Sequence, residues 1–292
     1  MVAAIIVALV VGIFLALNYK KEDKSSKSAD VNDKSTSGEG TNNDPTDPDN
    51  KTDYDPIDEE IEVETEIIKN EVEIKDDNKL KEIDKQLGNT LKILTHHYSF
   101  GTMELFSKNF EVKDGTSREI AGLIFDYYND MGLMERLPDG KCFSIDGDKE
   151  GIIDDDVCNG DGDEGEFNTY LTRETLNKEY KRITGYDFSL SDDSFGDCPH
   201  PYYDKKQNRY YASYLCGGTG GFFEGHYIYK YTENDNYLYV YIAYGKKAYD
   251  GGDEVETVII NNENYEKFSK FRLYFEKKDG YYYFRKVALI ER

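Results

Sequence analysis

The chain has 292 residues, and its 59 acidic side chains outnumber its 36 basic ones, which gives a formal net charge of −23. A field of this sign repels phosphate backbones and anionic lipid headgroups, so the composition argues against nucleic-acid binding and favours cationic or basic partners. The length allows a membrane segment, a linker and one folded region of one or two domains.

The first predicted element is an uncharged, apolar segment at residues 2–17. As a helix it would span roughly 24 Å, somewhat less than the thickness of a bilayer core. No basic residue precedes the segment and no small-x-small cleavage site follows it. The pattern therefore favours a retained single-pass anchor over a cleaved signal peptide.

Two patterns disagree on the orientation of this anchor. Four lysines follow it by position 27, and the positive-inside rule alone would place the folded domain in the cytosol. An even number of cysteines, a long polar stalk at residues 20–60 and a strongly acidic domain argue for the opposite side. We therefore predict a cell-membrane protein with an extracytoplasmic domain, held on a stalk that is disordered because it buries too little apolar area to offset its ordering entropy.

Two helices are predicted after the stalk. Leucine and isoleucine recur at intervals of three or four through residues 80–94, which indicates one amphipathic helix. A second helix follows a capping box of Thr116 and Glu119, and Gly132 is placed to end it. The stretch at 61–67 alternates apolar and acidic residues, which is consistent with a strand or with the end of the stalk.

An acidic loop follows the helices. Its residues 146–153 read DGDKEGII and resemble the first eight positions of an EF-hand calcium loop, with oxygen ligands at positions one, three and five and glycine at six. The loop departs from that pattern at position five, which is Glu150, and at position twelve, where Val157 replaces a bidentate glutamate. The resemblance implies a weak Ca²⁺ site, and a solvated acidic loop without metal is the alternative. The candidate ligands are Asp146, Asp148, Glu150, Ile152, Asp154 and Asp156.

Four cysteines lie in the folded half of the chain: Cys142, Cys158, Cys198 and Cys216. Sequential disulfide pairing is the simplest of the three possible connectivities. Their wide spacing argues against a zinc site. The alternative use is catalytic, because Cys216 precedes a glycine run at 217–221, and His226 and His200 are candidate bases for a cysteine nucleophile.

Tyrosines alternate with other residues in the C-terminal region, with the period of two that is typical of a strand. Tyr227, Tyr229 and Tyr231 form one run, a turn of asparagine and aspartate follows at 234–236, and a second tyrosine run leads back. A second hairpin is predicted around Asp279-Gly280. This alternation gives the sheet one aliphatic face and one phenol-rich face, and the candidate ligand face consists of Tyr227, Tyr229, Tyr237, Tyr239 and Tyr241.

A third helix, with Thr172 as its N-cap and Gly185 at its end, is predicted just before this sheet. The predicted strands are 208–215, 224–232, 236–245, 254–260, 268–276 and 281–290. A helix followed by an antiparallel meander is an α+β layout. The order of elements is similar to that of cystatin-like and NTF2-like cones, and this resemblance implies a pocket between the helix and a curved sheet.

We predict from these features a membrane-anchored, surface-displayed protein that binds an unknown protein or surface ligand and is not an enzyme, with Ca²⁺ as its one candidate cofactor. The alternative is an extracytoplasmic cysteine-dependent hydrolase that uses Cys216 and a histidine. The predicted segments are an anchor at 1–19, a linker at 20–60, a helical subdomain at 61–140, the acidic loop at 141–168 and a helix plus antiparallel meander at 169–292.

Overall fold

The computed structural model describes residues 61–96, 105–107, 109–144, 151–154, 166–190, 195, 201–211, 221–249 and 258–292. All of these residues belong to one compact unit, Lys51–Arg292. Within them, no helix combines the length and the apolar character needed to cross a bilayer. The predicted anchor and the whole of the predicted linker lie outside the described residues.

The described elements are three α-helices, thirteen strands and two short 3₁₀ turns. The helices are α1 (Asp77–Leu94), α2 (Arg118–Asp130) and α3 (Arg173–Thr184), and the 3₁₀ turns are Leu105–Ser107 and Tyr265–Lys267. The short strands are β1 (Val72–Glu73), β2 (Phe110–Glu111), β3 (Glu135–Arg136), β4 (Lys141–Ser144), β5 (Gly151–Asp154), β6 (Glu166–Phe167), β7 (Thr169–Thr172), β8 (Tyr202–Asp204) and β9 (Arg209–Tyr211). The long strands are β10 (Gly221–Glu233), β11 (Tyr237–Tyr249), β12 (Ser269–Lys278) and β13 (Tyr281–Glu291).

The main sheet has six antiparallel strands in the order β1-β10-β11-β12-β13-β2. Its four central strands form the predicted meander, which confirms the α+β class. Its two short edge strands come from the region before residue 112, so the N-terminal part of the domain closes both edges of the C-terminal sheet.

The three helices cover the aliphatic face of this sheet. Leu238, Val240 and Ile242 of β11 are fully buried against them. The core also contains Leu87 of α1 and Tyr180 of α3, whose hydroxyl donates to the carbonyl of residue 114 and accepts from the amide of residue 117. This helix layer is the product of the apolar stripes that the sequence predicts.

Helix ends follow local capping chemistry. Thr172 caps α3 and Gly185 ends it, as predicted. The predicted cap of α2 is wrong by one residue, because Thr116 is held by the carboxylate of Asp114 and the hydroxyl of Ser117 accepts from the first turn instead. The other end of α2 agrees with prediction, with Gly132 just beyond the C-cap.

A β-bulge changes which tyrosines share a face. The pairing of β10 with β11 shifts between Ile228 and Lys230, and the extra residue reverses the alternation that follows it. Tyr231 therefore packs with the helix-side core, whereas the sequence pattern assigned it to the phenol face together with Tyr227. Lys230 instead lies on the phenol face, where its ammonium is 4.6 Å from the ring centroid of Tyr241.

Two predicted strands are wrong in part. Residues 258–260 of the predicted strand 254–260 are irregular. Residues 61–67, for which the sequence left a strand or the end of the stalk open, have no strand pairing. The predicted strand 208–215 shortens, within the described residues, to β9, which joins the four-stranded sheet β3-β7-β9-β8 instead of the meander. That sheet contacts the three-stranded sheet β5-β4-β6, where the rings of Phe143 and Tyr211 stack at 4.1 Å.

Residues 258–268 lie on the phenol-side face of the main sheet because small residues leave room there. Gly225 and Gly245 face each other across β10 and β11. A Cβ on Gly225 would stand 2.1 Å from the carbonyl oxygen of Val258, and one on Gly245 would stand 2.5 Å from the Phe268 ring. Both positions therefore require glycine for close approach.

We expect Gly225→Ala to lower the free energy of unfolding by about 2 kcal/mol or more, because the backbone at Val258 must move. The matched control is Gly88→Ala on α1, where the new methyl meets only the end of the flexible Asp84 side chain at 3.3 Å. That change should stabilise the protein by up to about 1 kcal/mol through helix propensity. Urea unfolding of both variants measures the difference, and equal effects would contradict the proposed close approach.

Candidate functional site

Residues 61–74, which we call the strap, run across the phenol-side face of the main sheet. At one end, the amide of Glu64 donates to the carbonyl of Leu289 on β13 over 2.7 Å. At the other end, the amide of Ile74 donates to the carbonyl of Tyr231 over 3.0 Å, just beyond β1. The strap therefore spans the sheet from β13 to β10.

The first fixed point of the strap is the carboxylate of Glu64. It accepts a hydrogen bond of 2.9 Å from the guanidinium of Arg272, and it also accepts from the hydroxyl of Tyr274 and the ammonium of Lys286. Only 7% of the Arg272 side chain is exposed. A buried guanidinium needs a counterion, and Glu64 supplies it.

The second fixed point is Glu71. Its carboxylate accepts hydrogen bonds from the hydroxyls of Tyr241 and Thr232. Between the two fixed points the strap rises from the sheet, and Ile67 is 86% exposed. Asn70 turns the chain back with a positive φ of 57°, a conformation that asparagine tolerates better than most residues.

The pKa values on this face follow from the same contacts. Burial by itself would raise the pKa of Glu64, but hydrogen bonds from Lys286, Tyr274 and Arg272 outweigh it and hold that pKa below its ordinary value. Burial, followed by the hydrogen bond to Glu64, raises the pKa of Tyr274. The cluster therefore consists of an ionised carboxylate, a neutral phenol and two cations at neutral pH.

A groove of about 490 Å³ lies between the raised part of the strap and the sheet. Its floor consists of Tyr237, Tyr239 and Tyr274, and Ile67 and Ile68 of the strap form one wall. The other lining residues are Glu66, Lys69, Glu111, Asn234, Asn236, Arg285 and Lys286. The volume lies within the range of about 300–1,000 Å³ that is typical of small-ligand sites.

The structure separates the five tyrosines of the candidate ligand face. Tyr237 and Tyr239 line the groove, whereas Tyr241 is engaged by Glu71. Tyr227 and Tyr229 pack against Tyr265 of the 258–268 segment, with ring centroids 5.8 and 4.9 Å away. The ligand face remains a prediction, and its accessible part is the groove.

Tyr274 lines the groove but is absent from the predicted ligand face, although the sequence contains a signal for it. Phe271, Leu273 and Phe275 alternate on β12 and pack into the helix-side core, so the residues between them must face the phenol side. Tyr274 and Arg272 are those residues. The pairing of Tyr274 with Tyr239 across β11 and β12 extends the phenol surface to a third strand.

The resemblance to cones implied a pocket between helix and sheet. In the described residues that interface is filled by the buried core, and the 490 Å³ groove opens on the opposite face. A second groove, of about 420 Å³, lies at the margin of the helix side between α1 and β10. Its lining includes Leu91, Lys92, His226 and Tyr231.

Two antiparallel strands flank the first part of the acidic loop. Ser144 of β4 pairs with Gly151 of β5, on either side of residues 145–150, which lie outside the described residues. Gly151 has a φ of +136°, which favours glycine at this position. Asp154 pairs with Lys141, roughly 10 Å along the strand from Gly151 at a rise of about 3.3 Å per residue.

Four of the six predicted calcium ligands lie outside the described residues: Asp146, Asp148, Glu150 and Asp156. Ile152 and Asp154 lie on β5. The part of the chain that is described holds no group of three or more acidic, histidine or cysteine side chains placed to bind a metal ion. The Ca²⁺ site therefore remains a prediction for the loop.

Cys142 is fully buried on β4 and is disulfide-bonded. Cys158, Cys198 and Cys216 lie outside the described residues, so the connectivity remains a prediction. The same applies to the catalytic alternative, because Cys216, His200 and the glycines at 217–220 are also outside. His226 is described, and it lines the second groove.

The most strongly shifted carboxyl among the described residues belongs to the helix layer. Burial, followed by the charge of Asp130, raises the pKa of Asp126 to about 8. The carboxylate of Asp130 lies 2.9 Å from Nε2 of His96, within hydrogen-bonding distance. This group lies on α2, across the sheet from the strap, and it takes no part in the groove.

Comparison of the chain with protein-family models, with curated proteins and with solved structures gives no match.

We expect Glu64→Gln to lower the free energy of unfolding at pH 7 by about 2–3 kcal/mol, because Arg272 would lose its counterion. Since the folded-state pKa of Glu64 is lowered, its contribution is present above the unfolded value of 4.5 and is lost as pH falls through the folded value. The difference between the variant and the wild type should therefore shrink at about pH 3. Urea unfolding at both pH values measures it.

The control is Glu66→Gln, two residues further along the strap. Glu66 is exposed and has no hydrogen-bond partner among the described residues. Its replacement should change the free energy of unfolding by less than about 0.5 kcal/mol. The role assigned to Glu64 is refuted if both variants lose the same stability, or if the loss in Glu64→Gln is independent of pH.

We expect the acidic loop to bind Ca²⁺ with a Kd of about 10⁻⁴–10⁻³ M, the range of extracellular modules. Titration calorimetry of the full chain should show this heat, and Asp148→Asn should abolish it. Asp235→Asn, in a turn of the meander, serves as the control. No heat at millimolar calcium, together with thermal stability that neither calcium nor chelator changes, would exclude the site.

Proposed function

We propose that this chain is a membrane-anchored binding protein whose domain is displayed outside the cytoplasm and whose ligand occupies the groove beneath the strap. The anchor at 1–19, the linker at 20–60 and a cone-like curvature of the sheet belong to this proposal. The proposal assigns the domain no reaction of its own, and a weak calcium site in the acidic loop belongs to it as a structural element.

The observation that carries the proposal is the groove itself. It combines an aromatic floor with polar side chains at the rim, which is the usual composition of a ligand site. Its walls come from two distant parts of the chain that are joined by charge-assisted hydrogen bonds at Glu64. Such fixed points hold a site in one shape before the ligand arrives, and this lowers the entropic cost of binding.

The alternative function is a cysteine-dependent hydrolase that uses Cys216 and a histidine. It requires Cys216 to be a free thiol, because the thiolate is the nucleophile. The binding proposal requires the four cysteines to be paired in an oxidising space. The state of the sulfur atoms therefore distinguishes the two functions.

We expect a membrane-impermeant maleimide to label no cysteine of the protein on intact cells until a reductant is added. Protease added outside should release the folded domain. One reactive thiol at Cys216 would support the hydrolase, whereas four reduced thiols with protection from protease would place the domain in the cytosol. Either result would overturn the proposal.

The variant Cys216→Ser is the matched control for this experiment. With sequential pairing, it leaves Cys198 without its partner, so exactly one cysteine per chain should become reactive. Peptide mapping should place the label on Cys198. Label on Cys142 or Cys158 would instead identify another of the three connectivities.

A further inference from the structure

Two cationic side chains already lie against the aromatic rings that form the floor of the groove. The guanidinium carbon of Arg272 lies 5.0 Å from the ring centroid of Tyr274 and 6.0 Å from that of Tyr239. The ammonium of Lys286 lies 4.8 Å from the Tyr274 ring. A cationic ligand would meet these like charges at the ring faces that attract cations.

The charges at the rim are largely neutralised by partners within the protein. Arg285 binds the carboxylate of Glu276 at 2.6 Å, and Lys286 binds Glu64. Glu111 faces Lys113 at 3.5 Å. An anionic ligand would therefore compete with carboxylates that are already in place, in a protein whose net charge is −23.

Two lining charges have no partner among the described residues, and they have opposite signs. These are Glu66 and Lys69, both on the raised part of the strap. The side-chain amide of Asn236 and the hydroxyl of Tyr237 likewise make no hydrogen bond within the described part of the chain, whereas the backbone amide of Asn236 donates to the side chain of Asn234. The groove thus offers hydrogen-bond donors and acceptors without a surplus of either charge.

Tyr237 is the half-buried ring at the centre of this polar set. Its ring stacks on Tyr239 at 6.0 Å with an angle of 29°, and it meets Tyr274 edge-on at 6.4 Å. Both contacts hold its plane in a fixed orientation. A pyranose ring matches such a site, since it has one face of C–H groups that packs on an aromatic ring and a periphery of hydroxyl groups.

We propose that the groove binds a neutral oligosaccharide, with one sugar ring packed on Tyr237 and its hydroxyl groups bonded to Glu66, Lys69 and Asn236. The proposal rests on the binding function given above and specifies its ligand class. An extended neutral peptide is the competing class. It is less well matched, because the strap offers only Ile67 and Ile68 as apolar anchors.

The test is calorimetric titration of the full chain, held in a detergent without a sugar headgroup. The probes are cellotetraose, mannotetraose and chitotetraose, with tetragalacturonic acid, a chitosan tetramer and a neutral tetrapeptide as comparisons. We expect at least one neutral tetrasaccharide to bind with a Kd of about 0.1–1 mM. The charged oligomers and the peptide should bind at least tenfold more weakly.

Three variants locate the binding. Tyr237→Phe keeps the ring and should retain affinity within about threefold, whereas Tyr237→Leu keeps apolar bulk but loses the ring plane and should lose at least tenfold. Tyr281→Leu changes a 62% exposed tyrosine outside the groove and should have no effect. Thermal unfolding of each variant verifies that it is folded. If the leucine variant is not folded, the comparison of neutral tetrasaccharides with the charged oligomers and the peptide on the wild-type chain still tests the ligand class.

A second experiment separates the oligosaccharide proposal from the proposed binding function. It measures binding of the labelled full chain to envelopes of the cells that produce it. Envelope binding that depends on Tyr237, with no neutral tetrasaccharide bound, would reject the ligand class and leave the binding function intact. If the chain binds neither the envelopes nor a neutral tetrasaccharide, the ligand class and the binding function are both rejected. Saccharide binding that Tyr237→Leu does not change, or tighter binding of the peptide or of a charged oligomer, would also overturn the proposal.

Discussion

The structure depends on the pairing of Glu64 with Arg272 across 208 positions of the chain. Arg272 faces away from the helices on a central strand, where a buried guanidinium without a counterion would cost several kcal/mol. No neighbouring strand position supplies that counterion, since Tyr241 and Ala288 flank Arg272 in the sheet. The chain meets this requirement by returning its N-terminal segment across the sheet, and the strap exists for that reason.

The two faces of the main sheet are covered by different means. Regular helices cover the aliphatic face, because apolar stripes fit together over a long interface. The phenol face instead carries hydroxyl groups and cations, which a helix stripe could not satisfy. Irregular backbone covers it, with the strap over one half and the 258–268 segment over the small residues of the other half. The groove lies where the strap rises between its two fixed carboxylates.

Local patterns in the sequence predicted most of the fold. The helical stripes, the Thr172 cap and the two hairpins require only neighbouring residues, and they agree with the structure. The position of Tyr231 could not be predicted, because a bulge inserts one residue without any change in composition. The irregular path of 258–260 could not be predicted either. Its β-branched residues favour a strand, and only the structure shows that Gly225 and Gly245 leave room on the sheet for this segment.

The candidate site was only half predictable, and charge explains why. The alternation of apolar and acidic residues at 61–67 predicts one side of a strand or the end of the stalk, and neither the alternation nor the net charge of −23 indicates that Glu64 pairs with a buried cation. Basic residues are nevertheless concentrated in the last two strands, which contain Lys270, Arg272, Lys277, Lys278, Arg285 and Lys286. Half-buried sheet positions cannot keep such charges without counterions. Glu291 and Glu276 of the same strands pair with Lys270 and Arg285. Glu64 of the strap pairs with Arg272 and Lys286. The local excess of base that remains, more than the overall excess of acid, therefore determines where the strap lies and where the groove forms.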